Sequence, residues 1–200
     1  MLPILFTPNL KSKITNHLIN LDSDSKYLRF GYIPKDETII SYVENSFSEP
    51  LDKSIWFGYI DKNVCVGAIH VSINNDIAEL GISIDQEYRG QKLSSILFDR
   101  ALEYIKARNI TKVYMQCLSE NAVIQYLAKK YEMKVSNLGP GEKEANAELD
   151  ISNPILNKVN NFTYECLGLV DSCIRHKIWL CTSFNDMFNM FNVSSYINKE

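Results

Sequence analysis

Apolar positions along the chain change period twice, and each change marks a different kind of element. In residues 11–21, KSKITNHLINL, Ile14, Leu18, Ile19 and Leu21 fall roughly on one helical face. The polar stretch DSDSKYLRFGYIPKD follows and reads as a loop around one apolar knot. Helical spacing returns in ETIISYVENSF through Ile39, Ile40, Val43 and Phe47, with Asp36 as the expected N-cap. The pattern then becomes that of strands. Ile55–Ile60, Val64–Ser72 and Ile77–Ile84 are joined by Asp-Lys-Asn and by Asn74-Asn75, which predicts an antiparallel meander. A helix over 90–108, a strand over 112–118, a helix over 119–131 capped by Ser119, and two strands around GPGE complete this part.

The predicted order α, α, β, β, β, α, β, α, β, β places antiparallel strands before a β-α-β crossover, the signature of a mixed sheet in an α/β or α+β layer fold. The tail differs. Asn153 and Pro154 read as an N-cap and first helical position, and residues 154 to about 180 are expected to be helical. The last stretch carries Phe184, Met187, Phe188, Met190 and Phe191. We therefore expect a domain over 1–151 and a C-terminal helical extension over 152–200. The extension would pack on that domain or on a partner subunit, with a homodimer as one outcome.

Composition narrows the function classes. Of 200 residues 46% are apolar, enough for one sizeable core, and 21 basic against 24 acidic residues give a net charge of −3. No stretch has the Lys/Arg density that nucleic acid requires. Cys65, Cys117, Cys166, Cys173 and Cys181 form no CxxC and are odd in number, so reduced thiols in a cytoplasmic protein are expected. His17, His70 and His176 lack metal-ligand spacing, so no metal site is expected. The N-terminus has no basic region ahead of its short apolar run and makes a poor signal peptide, and no run reaches the ~18 apolar residues of a membrane span.

The segment EYRGQKLSSILFDRAL, residues 87–102, holds the most specific chemistry. A strand ends at Ile84 and a helix starts near Gly90. The first N–H groups of a helix lack internal partners and carry partial positive charge, so an anion fits there. Gly90 permits close backbone approach, Arg89 and Lys92 add charge, and Ser94 adds a hydroxyl. Taken alone, the loop could equally be a plain helix start with solvated basic residues.

Its surroundings decide between the two. The strand AELGISI, this loop, the strand KVYMQCL and the helix SENAVIQYLAKKY together resemble the GNAT superfamily of N-acetyltransferases over roughly residues 27–150. The earlier stretch LDSDSKYLRFGYIPKDETIISYV is similar to the N-terminal part of bacterial members, including the acetyltransferase domain of protein-lysine acetyltransferases. Arg89 matches the family's Gln/Arg-x-x-Gly-x-Gly/Ala pattern, whereas Lys92 and Ser94 stand where Gly and Gly/Ala are usual. The resemblance implies a mixed, mostly antiparallel sheet of six to seven strands flanked by helices. It implies acetyl-CoA as acyl donor, held between the strand ends at Ile84 and Leu118. Pantetheine would pair with backbone around Ile82, Ser83 and Ile84, and the pyrophosphate with Arg89, Gly90, Gln91, Lys92, Leu93, Ser94 and Ser95. Asn121 would contact CoA. Lys92, lacking glycine's freedom, should project its side chain outward.

Acetyl transfer to an amine needs a base, a polarised carbonyl and a stable leaving thiolate. The resemblance implies Glu79 as base, on one strand face with Gly81 and Ser83; by itself the residue reads equally as a solvated strand carboxylate. The usual acidic Tyr is replaced by Ala128; Tyr131 is a packed aromatic or a substitute. Cys117 reads as a buried thiol, His70 as a satisfied core or surface histidine, and Arg29 as a tie between helices or a carboxylate holder. An N-acetyltransferase acting on a primary amine by direct attack is the leading expectation, and a catalytically inactive acyl-CoA-binding sensor or scaffold the alternative.

Overall fold

The structure, a computed structural model, describes residues 1–197, with side chains described through Lys177. A seven-stranded sheet has the order β1-β2-β3-β4-β5-β7-β6. The strands are β1 (Ile4–Leu5), β2 (Ser54–Asp61), β3 (Val64–Asn74), β4 (Ile77–Ile84), β5 (Lys112–Leu118), β6 (Lys134–Gly139) and β7 (Glu142–Glu148). Among the described residues only the β4–β5 pair is parallel. The helices are α1 (Lys11–Asn20), α2 (Ser23–Phe30), α3 (Asp36–Ser48), α4 (Leu93–Ala107), α5 (Ala122–Lys130) and α6 (Pro154–Ile197). The mixed sheet and its flanking helices agree with the expected layer fold.

The meander forms as the alternation requires. Lys62 and Asn63 both take positive φ, 45° and 67°, the twist a two-residue hairpin needs. Helices cover both sheet faces, which is why β2 and β3 are buried almost throughout. Leu97, Phe98, Ala101 and Ile105 of α4 pack on Phe57, Ile69 and Leu80. Ile14, Leu18, Ile39 and Val43 of α1 and α3 pack on Trp56 and Ala68.

Several boundaries differ from expectation. Residues 23–30, read as loop, form α2. Asp22 caps it by accepting from the Ser25 N–H at 2.8 Å and the Ser25 hydroxyl at 2.6 Å, and Gly31 ends it at φ 78°. These bonds hold the Asp22 carboxyl below its ordinary pKa. Asp36 opens α3 as its first residue, with Lys35 at the cap. The cap of α5 is Asn121 rather than Ser119, its Oδ1 accepting the Ile124 N–H at 3.2 Å. The short strand β1 was not foreseen.

The extension is one helix, α6. Asn153 caps it through the Leu156 N–H at 3.1 Å. It docks on α4 through Arg100, whose Nη1 donates to Asn161 Oδ1 at 2.7 Å and whose guanidinium lies 4.1 Å from the Phe57 ring centre. Phe162, Val159 and Ile155 face outward and are exposed. The side chains of Phe184, Met187, Phe188, Met190 and Phe191 lie outside the described residues. Among the described residues no helix is long and apolar enough to cross a membrane.

One buried polar cluster carries a pH consequence. His70 stacks on Trp56 at 4.4 Å, its Nδ1 lies 2.7 Å from the Tyr42 hydroxyl and its Nε2 2.8 Å from the Ser54 hydroxyl. Burial, then the nearby Arg29 charge, lowers its pKa to about 3. The fold therefore holds neutral imidazole, while the unfolded chain binds a proton near the ordinary value of 6.5. Stability is complete above that value and falls as pH drops below it, by about 1.4 kcal/mol per pH unit. His70→Gln should be less stable at neutral pH yet lose less on acidification to pH ~5; parallel melting-temperature curves for the two proteins would contradict this.

Candidate functional site

Strands β4 and β5 pair only through Ile77–Lys112, Ala78–Val113 and Glu79–Tyr114, then diverge. Beyond the fork β4 runs on to Ile84 with β3 on one side and no strand on the other. The Asp85 N–H donates to Val66 O at 3.0 Å, which sets the phase of the β3–β4 ladder. Odd-numbered residues of β4 direct their backbone groups to β3, and Ile82 and Ile84 direct theirs into the open side. An extended ligand chain can pair there as an added strand. Ser83 directs its backbone to β3 and lines the cavity.

A cavity of about 170 Å³ fills the opening. Of the residues expected to hold CoA, Ile82, Ser83, Ile84, Arg89, Gly90, Lys92, Leu93, Ser94 and Asn121 line it. Gln91 and Ser95 do not; Gln91 is exposed, and Ser95 is buried with its carbonyl 3.2 Å from the Tyr131 hydroxyl. Helix α4 starts at Leu93, three residues later than expected, so the N–H groups of Leu93, Ser94 and Ser95 are its free first-turn donors. The fully buried Tyr59 fixes this end by donating to Leu93 O at 3.0 Å.

The loop reaches this shape despite its departures from the family pattern. Gly90 takes φ 76° and Lys92 takes φ 62°, the left-handed conformation glycine would adopt. A lysine there carries a strain of about 1–2 kcal/mol. Arg89 does more than supply charge: its guanidinium bonds the Ser25 hydroxyl and approaches Asp22 Oδ2 at 3.6 Å, closing α2 over the cavity. Asn121 is 8% exposed, and its Nδ2 donates to Leu28 O at 3.2 Å, tying α5 to α2 across the cleft.

A second cavity of about 270 Å³ continues past the fork, lined by Glu79, Gly81, Gln116, Cys117, Glu142 and Lys143 among others. Glu79 stands at the fork and is exposed, and the Tyr114 hydroxyl donates to its Oε2 at 2.9 Å. Burial and that bond push the Tyr114 phenol up to about 12, so it stays a donor. Cys117 is buried and its thiol pKa is raised, which makes it a poor nucleophile. Tyr131 packs on Phe98 and donates to Asp99 Oδ1 at 2.6 Å; burial and that bond raise its pKa strongly, so it is a packed aromatic and no ready acid.

One constellation escaped the sequence reading. His17, 3% exposed, has Nε2 at 2.9 Å from the Ser83 hydroxyl and Nδ1 at 2.8 Å from Asp85 Oδ1. The residue types are those of a hydrolytic relay. Nδ1, however, is not aligned for a hydrogen bond, and the set braces α1 against the end of β4. His17 and Ser83 are 66 residues apart, so no local pattern could have revealed the pair.

Comparison with known proteins agrees with this fold. The model of the acetyltransferase (GNAT) family matches residues 17–131, more than half of the chain. The GNAT domain of S. lividans PAT superposes with a TM-score of 0.66 at 13% identity, over 74% of this chain and 89% of that one. The PaiA N-acetyltransferase of Thermoplasma acidophilum, in complex with coenzyme A, gives 0.58 at 16% identity over 74% and 100%. A ribosomal-protein-S5-alanine acetyltransferase from Vibrio fischeri gives 0.57 at 14% identity over 76% and 93%. No curated protein matches the sequence significantly.

The loop shape is testable without ligand. Lys92→Gly should hold or raise stability by up to about 1 kcal/mol, and Lys92→Val should lose about 1–2 kcal/mol. Urea unfolding measures both, and equal losses would contradict a left-handed Lys92.

Proposed function

The chain belongs to the GNAT acetyltransferase family, and from that premise we propose that it moves an acetyl group from acetyl-CoA to a primary amine by direct attack in a ternary complex. The observation that carries this reading is the unpaired edge of β4 running into the free N–H groups at the start of α4. Pantetheine pairs with the backbone of Ile82 and Ile84, which places the thioester near Gly81 and polarises its carbonyl through a strand N–H. The pyrophosphate takes the N–H groups of Leu93 and Ser94, with Arg89, Gly90 and Lys92 around it.

The acceptor enters through the second cavity and loses a proton to Glu79 through water. Its nitrogen bonds to the thioester carbon, the C–S bond breaks, and the thiolate takes the proton that the acylated nitrogen sheds. A thiolate is a tolerable leaving group near neutral pH, so the lack of a tyrosine at Ala128 is no barrier. That same lack, with Tyr131 engaged by Asp99, favours the second reading of a non-catalytic acyl-CoA sensor. We further propose that the protein acts in the cytoplasm, where its cysteines stay reduced.

Glu79→Gln is expected to lower kcat about 100-fold while acetyl-CoA affinity stays within about threefold. Thiol release with an amine panel and calorimetry with acetyl-CoA check this. Binding without turnover, with Glu79→Gln indistinguishable from wild type, would favour the sensor; absence of binding would exclude both readings.

A further inference from the structure

The two cavities share Leu28, Arg29, Ile82, Asn121 and Ile124, so they meet beside Gly81. Arg29 occupies that junction. A Cβ added to Gly81 would fall inside the Arg29 guanidinium, which therefore lies flat on the strand where a side chain would otherwise project. Gly81 is here because an arginine needs its space.

The surroundings of this cation are neutral. Its Nη2 donates to the Tyr42 hydroxyl at 3.0 Å. Tyr42 in turn contacts His70, which is uncharged, and the guanidinium rests 5.1 Å from the Phe30 ring centre and 5.8 Å from that of Tyr42. Among the described residues no carboxylate pairs with Arg29, Nη1 has no hydrogen-bond partner, and Nε is buried without one. A half-buried guanidinium without a counter-charge is costly unless an anion arrives, and its planar fork suits a carboxylate. Glu79 stands on the acceptor side of the same junction, with Glu142 and Lys143 further along that cavity. The arrangement offers a cation at Arg29 and a carboxylate at Glu79 across one junction, complementary to a zwitterion.

We propose that Arg29 selects the acceptor: it receives a carboxylate two or three bonds from the reacting amine, so the acceptor class is an α-amino acid or a similar amino-carboxylate. This rests on the acetyl-transfer reading above. An amine with no neighbouring carboxylate would leave Arg29 uncompensated. Tyr42 and His70 act as positioning residues, holding the guanidinium over Gly81.

Matched acceptor pairs test it: several α-amino acids, each beside the amine left when its carboxylate is removed, offered to the full chain with acetyl-CoA while CoA thiol is followed. Wild type should prefer the amino acid by roughly 10–100-fold in kcat/KM, the scale of a charge-assisted bidentate contact. Arg29→Met should bring that ratio close to one by raising KM for the amino acid. Gly81→Ala, which displaces the guanidinium with Arg29 intact, should do the same. The wild-type ratio needs no variant, so a misfolded mutant cannot hide the answer. Equal rates, or preference for the bare amines, would overturn the proposal while leaving acetyl transfer standing. Equal kcat losses for both partners in Arg29→Met would also overturn it and make Arg29 a polariser of the thioester. Bound acetyl-CoA with no turnover of either class would remove the acetyl-transfer reading and this inference with it.

Discussion

The parting of β4 from β5 after Glu79 and Tyr114 is the constraint on which the rest of the site depends. A buried strand edge with free amides is unfavourable, and proteins normally pair it, cover it or leave it to water. Here the edge at Ile82 and Ile84 opens into a cavity whose far end is the N-terminus of α4. Backbone donors in a row, followed by a helix start, form a track for an extended chain ending in phosphate. The chemistry at the fork then follows from position. Glu79 is the last residue of β4 to pair with β5, so its carboxylate stands where the cleft narrows.

Three ties hold the walls of that cleft, and all three involve α2. Arg89 reaches its N-terminal cap, Asn121 reaches Leu28 near its other end, and Arg29 extends from it onto Gly81. A helix of eight residues has little stability of its own, so α2 stays in place because these contacts and its cap hold it. The roof of the cleft is thus fastened by residues that also line it.

Much of the scaffold was legible in the sequence because it follows from local rules. Alternation gave the meander, and helical spacing gave α1, α3 and α4 within a few residues. Glu79, Gly81 and Ser83 do share a face, shown by Gly81 beneath Arg29 and Ser83 beside His17. Residues 23–30 read as loop because DSDSKYLRF has too few apolar positions to show a period, and its helix depends on the Asp22 cap and on tertiary ties. Lys92 defied the usual glycine requirement because the loop, anchored by Tyr59 at Leu93 and by Arg89 at α2, fixes its backbone angle from both sides. The environment of Arg29 was visible only as two alternatives. Its lack of a counter-charge is a property of three-dimensional neighbours and leaves no trace in spacing.

Amide hydrogen exchange, resolved by residue and measured with and without acetyl-CoA, addresses the central claim most directly. The account predicts that the amides of Ile82 and Ile84, together with those of Leu93 and Ser94, slow about tenfold or more on binding. The amides of Gly81 and Ser83, already bonded to β3, should change little. Unchanged exchange at Ile82 and Ile84 under saturating acetyl-CoA, or protection confined to another face of the sheet, would contradict it.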